Sequence, residues 1–141
     1  MNFTLTGKIS IFGGPDDKGM SHSEGLALYE HAEADLRPDL FGPRIAGRGV
    51  ASRLHSQTMM YFAVRFPLLN REGTVEDWHE GFYRGLLRQT RCLLVSARGS
   101  WEAWLVDYGP HLSTGRMFDL SPALARVLGV QTDDEVTLRM E

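Results

Sequence analysis

Asp107 and Asp119 stand twelve positions apart, on either side of a Gly109-Pro110 turn and a basic Arg116. Two carboxylates at loop and strand positions can do acid–base work on a glycosidic bond. One needs a raised pKa to donate a proton, and the other stays ionised to stabilise positive charge or activate water. Asp107 ends the apolar run Trp104-Leu105-Val106, where desolvation would raise its pKa. Asp119 lies between Phe118 and Leu120, so strand alternation turns it away from both, two residues before a helix start. Each also has a structural alternative: Asp107 as the turn-forming residue before Gly-Pro, and Asp119 as an acceptor of backbone N–H groups from the helix or an adjacent turn.

Other polar and aromatic residues gather around this pair. His111 follows the Gly-Pro turn and is placed to orient Asp107, or else is a solvated loop histidine. Arg116 suits a carboxylated or N-acetylated sugar, or pairs with Asp107 or Asp119 for structural reasons. Among the close-set aromatics Trp101, Trp104 and Tyr108, the tryptophans read as core, and Tyr108, beside the turn, is the better platform for a sugar ring. The five histidines include no pair at metal-ligand spacing, so neither a metal nor another cofactor is expected. The Gly-Gly-Pro-Asp-Asp stretch at 13–17 lacks the Lys-Ser/Thr of a phosphate loop, and no Ser or Cys sits in a nucleophile elbow.

Short strands and a few helices must position these residues. "GKISIFGG" reads as a strand with Ile9 and Ile11 on one face, stopped by glycines and Pro15. A helix is expected over 23–36 with Ser23 as its N-cap, although Gly25 weakens it and Leu26-Leu28 also fits alternation. The Pro/Gly-rich segment 37–49 reads as a surface loop. "SQTMMYFAVRF" is a strand apolar on both faces, and 75–88 is a helix capped by Thr74. The segment 90–110 is a hairpin turning at Arg98-Gly99-Ser100. "RMFDLS" is a strand running into a helix with Ser121 as N-cap, Pro122 at its first position and Gly129 as its stop, and "DEVTLRM" is the last strand. Five or six short strands with two or three short helices make a mainly β chain, suited to a small barrel.

Bulk properties narrow the function. A chain of 141 residues with 43% hydrophobic and 23% charged residues is one ordinary globular domain, and no apolar run reaches membrane-span length. The net charge of -3 opposes a phosphate-tracking surface, so nucleic acid is not an expected partner. The single Cys92, inside an apolar strand, reads as a buried inert thiol. The amino terminus carries no export or lipidation signal, which implies a protein that is cytoplasmic as synthesised or exported by another route.

The stretch "VDYGPHLSTGRMFDLSPALARVLGVQTDDEVTL" resembles the six-stranded double-psi β-barrel of the rare lipoprotein A family, with its Asp-x-Gly-Pro turn, its Gly-Arg-apolar-apolar-Asp-Leu-Ser strand, its helix ending Leu-Gly and its final strand. "GKISIFGG" is similar to that family's opening strand, and "FDLS" to the His-Phe-Asp motif of expansins and family 45 endoglucanases. The resemblance implies a partner among cell-wall glycans and an activity like that of the lytic transglycosylases that cut peptidoglycan strands. It implies catalytic roles for Asp107 and Asp119, and adds Glu24 and His55 as counterparts of the family's upstream Glu and His.

The chain departs from the family pattern at Tyr108, where an Arg is usual, at Met59-Met60, where Pro-Phe-Gly is usual, and over 68–91, an inserted loop and helix. The expected function is therefore binding and cleavage of a cell-wall glycan by one barrel domain, with Asp119 as preferred acid and Asp107 as its partner. Tyr108, His111, Arg116, Glu24 and His55 would hold the substrate. The alternative is a non-catalytic binding or assembly module of a phage, a secretion apparatus or an intracellular complex.

Overall fold

Alternation of apolar and polar residues near the carboxyl end builds the simplest strand. Val136, Leu138 and Met140 are buried, while Glu135 and Arg139 face solvent. This strand closes a barrel. The computed structural model describes residues 3–13, 17, 21, 23–65 and 80–141. Its strands are β1 (Phe3–Ile11), β2 (Tyr61–Val64), β3 (Cys92–Ser96), β4 (Gly99–Tyr108), β5 (Phe118–Leu120) and β6 (Glu135–Met140). They run around the barrel in the order β1-β5-β2-β4-β3-β6, with β6 returning to β1. Closure leaves no edge among the described strands to protect from pairing with other chains.

The pairs β1/β5 and β2/β4 are parallel, and the other four are antiparallel. Ile9, Phe62, Leu94, Phe118, Leu120 and Leu138 are fully buried and belong to one hydrophobic core. The mainly β barrel expected from the sequence is present, and among the described residues three short α-helices accompany it: α1 (His31–Asp35), α2 (Glu80–Gln89) and α3 (Pro122–Leu128). No helix among the described residues is long and apolar enough to cross a membrane.

Helix α3 follows its local signals. Ser121 Oγ accepts the Leu124 N–H, Pro122 opens the helix, and Gly129 ends it at φ 67°, a left-handed conformation that glycine adopts without Cβ strain. The same Ser121 hydroxyl donates to the Met59 carbonyl at 2.8 Å, tying the helix start to the entry of β2.

Four expectations are corrected. The helix expected over 23–36 shrinks to α1, whose N-cap is Glu30 in a capping box with Glu33, and not Ser23. The backbone N–H groups of Ala27 and Leu28 are drawn instead to Asp107 and to the Val106 carbonyl, which leaves them unavailable to a helix. The hairpin turns at Ala97-Arg98, with Gly99 already opening β4. The loop at 37–49 is not only surface, because Leu40 and Phe41 enter the core and Phe41 bridges to Leu54. Ile11 does not share the burial of Ile9; β1 ends there and its side chain is 43% exposed. The helix expected over 75–88 corresponds to α2 at its carboxyl part, and its first residues lie outside the described ones.

Candidate functional site

Ala63 of β2 pairs with Asp107 of β4 on one side and with Asp119 of β5 on the other. Asp119 in turn pairs with Ser10 of β1. Ser10, Asp119, Ala63 and Asp107 therefore form one row across four adjacent strands. Residues in one row project from the same face, so the two acids flank a side chain too small to separate them. Two strand spacings put their Cα atoms about 9–10 Å apart.

A cleft of about 360 Å³ opens over this row, lined by Asp107, Asp119, Glu24, Phe12, Tyr108 and His111 together with Leu26, Ala51, Gly109 and Pro110. Burial pushes the Asp107 carboxyl up to about 7, and the nearby charges of Glu24 and Asp119 add to the rise. Two hydrogen bonds oppose it: Oδ1 accepts the Ala27 N–H at 2.8 Å and the Tyr108 N–H at 2.9 Å. The described residues place no donor on Oδ2. Asp119 is also raised, chiefly by burial and further by Asp17, while the Ser10 hydroxyl, which donates to Oδ1, and the Arg116 charge hold it down. Glu24 is raised by burial and by repulsion from Asp17 and Asp119, with a backbone hydrogen bond at Ser21 opposing. The cleft thus gathers three carboxyl groups that each hold a proton more tightly than an exposed acid.

Glu24 reaches the cleft because its backbone lies hard against Gly49, where a Cβ would collide with the Glu24 carbonyl group. The Ala51 N–H bonds to that same carbonyl at 3.2 Å. His111 stands at the cleft wall, its Nδ1 accepting the Ser113 N–H at 3.1 Å.

No protein-family model matches this chain, and no curated protein matches it.

Of the residues singled out from sequence, Asp107, Asp119, Tyr108, His111 and Glu24 line one cleft. Arg116 and His55 do not line it. Arg116 directs its guanidinium to Asp133, with Nε 2.9 Å from Oδ1, a surface pair that supplants the expected pairing with Asp107 or Asp119. His55 turns its Nε2 toward the Pro38 carbonyl at 3.4 Å and packs beside Gly42. Trp104 is partly buried under the Arg37 guanidinium, 5.0 Å from its ring centre. Among the described residues, no three His, Cys, Asp or Glu side chains are arranged to hold a metal ion.

Sequence reasoning missed Ser10, Ala27 and Ala63. Alternation in "KISI" turns Ser10 away from Ile9, but nothing local ties it to an acid more than a hundred residues on. Ala27 contributes only a backbone N–H, which no residue type announces.

Proposed function

We propose that this protein binds a cell-wall glycan strand in the cleft and cleaves it, with Asp107 as proton donor, on a barrel of the double-psi type. The observation that carries the reading is the row Asp107–Ala63–Asp119, which sets two proton-retaining acids on either side of one small residue, both on the wall of one cleft. The two parallel strand pairs, and the position of the Asp-Tyr-Gly-Pro and Phe-Asp-Leu-Ser motifs on the ends of β4 and β5, support the barrel type.

Asp107 takes the acid role that the sequence assigned to Asp119, because a carboxyl group titrating near 7 is still largely protonated where an ordinary acid is ionised. It gives its proton to the glycosidic oxygen as the C1–O bond breaks. A hydroxyl of the same sugar then closes on C1, and its proton returns to the Asp107 carboxylate, restoring the acid. Asp119 faces the developing positive charge. Phe12 and Tyr108 offer apolar surface to a sugar ring.

One observation favours a second reading of the same cleft. Oδ1 of Asp107 and Oδ1 of Asp119 are each already hydrogen-bonded, as in carboxylates that brace a fold, which suits a module that binds glycan without cutting it.

Purified peptidoglycan incubated with wild type, Asp107→Asn and Asp119→Asn separates these readings. Cleavage predicts soluble products from wild type alone and co-sedimentation of all three with the glycan. Co-sedimentation without products selects the binding module. Absence of both removes glycan from the account.

A further inference from the structure

Ala27 is pinned at both of its backbone polar groups. Its N–H donates to Asp107 Oδ1 at 2.8 Å, and its carbonyl accepts Arg84 Nε from α2 at 2.8 Å. Arg84 is itself held, with Nη2 2.6 Å from Glu33 Oε1 of α1 and its side chain 19% exposed. Arg88, one turn further along α2, completes the grip. Its Nη1 donates to the Leu28 carbonyl at 2.8 Å and lies 2.7 Å from Glu33 Oε2. On the opposite side, the Leu28 N–H reaches the Val106 carbonyl at 3.2 Å. The short strap Ala27-Leu28 is thus clamped between β4 and a pair of arginines that share one carboxylate.

We propose that Arg84 is a positioning residue for Asp107: it holds the Ala27 carbonyl so that the Ala27 N–H stays on the Asp107 carboxyl. This rests on reading Asp107 as the proton donor of the cleft. A residue fixed at both N–H and C=O cannot turn about its φ and ψ without breaking one of the two bonds, so Arg84 acts on Asp107 without touching it. Arg88 holds Leu28, whose N–H serves Val106, and so stands one residue away from this duty.

The physical consequence has a definite sign. A hydrogen bond donated to the ionised carboxylate favours ionisation and counteracts burial and the facing carboxyls of Glu24 and Asp119, with His111 and Tyr108 the other titratable groups among the described residues of the cleft wall. Releasing Ala27 removes that counterweight. The proton then stays on Asp107 to higher pH, which moves the window in which the residue can cycle between acid and base.

The test is carboxyl-carbon NMR titration of Asp107 in the full chain, comparing wild type with Arg84→Met, which keeps the apolar stem, and Arg84→Lys, whose single ammonium goes to the charged Glu33 carboxylate and releases the neutral Ala27 carbonyl. The Asp107 midpoint is expected to rise by roughly half a unit to one unit in Arg84→Met, and in the same direction in Arg84→Lys. A folded Arg84→Met with the wild-type midpoint overturns the proposal, because a merely structural role would lower the melting temperature and leave the titration alone. Should Arg84→Met not fold, Arg84→Lys decides: a midpoint above wild type supports the proposal and a wild-type midpoint overturns it. The titration contains no glycan. A protein that yields no glycan products yet shows the shift loses the cleavage reading and keeps this one, and products without the shift do the reverse.

Discussion

Asp107 and Asp119 flank the same residue, Ala63, each one strand away from it, so the distance between the two acids is set by β2 and not by the loop that joins them in sequence. Ala63 is 1% exposed, so the position between them is closed to solvent.

Ala63→Ile tests that closed position. Adding bulk at a closed position forces neighbours off their rotamers and costs about 1–3 kcal/mol. Urea denaturation is expected to show that loss, and glycan co-sedimentation is expected to fall with it. A variant as stable as wild type, with unchanged binding, would show that the row has spare room.

A second prediction concerns stability and pH. The folded state holds the Asp107 proton up to about 7, whereas an unfolded chain releases it near the usual 3.8. Between these values the folded state binds more protons than the unfolded one, so this residue's contribution to stability falls as pH rises from about 4 to about 7 and is flat above. Asp107→Asn keeps a carbonyl oxygen for the Ala27 and Tyr108 N–H groups and has no charge to bury. At about 1.4 kcal/mol per unit, the variant is expected to exceed wild type by roughly 2–4 kcal/mol at pH 8, with the gain vanishing toward pH 4. Denaturation at both pH values checks it, and a gain independent of pH would refute the linkage.

Cys92 supplies a third. Burial raises its thiol to about 12, with Glu102 adding to the rise, and its Sγ lies 3.5 Å from the Thr90 carbonyl. A disulfide reagent at pH 8 is expected to leave the native protein unmodified for hours and to label it at once in denaturant. Rapid labelling of the folded protein would place the thiol in solvent.

How much of this was legible beforehand depends on how far apart the cooperating residues lie. Ser121, Pro122 and Gly129 act on their own neighbours, so the helix they bound, α3, is readable from spacing alone. The same is true of β6, where alternation needs no partner to be seen. The segment 23–36 is the contrary case. Its helical spacing of Leu28, Ala32 and Leu36 is overridden because Ala27 and Leu28 spend their N–H groups on β4, about eighty residues away. Asp107 and Asp119 could be named as candidates from residue type and turn context. Their convergence depends on β2 lying between β4 and β5, a crossover that periodicity does not encode. The pairing of Arg116 with Asp133 was missed for a related reason: Asp133 takes a left-handed turn at φ 73° before β6, and β6 returns to β1 beside β5.

The most direct measurement is mass spectrometry of the products released from purified glycan strands across pH by wild type and Asp107→Asn. The account predicts products closed by an internal sugar ether from wild type, with release falling as pH rises through about 7 and Asp107 loses its proton, and none from the variant. Release by Asp107→Asn at the wild-type rate would contradict it.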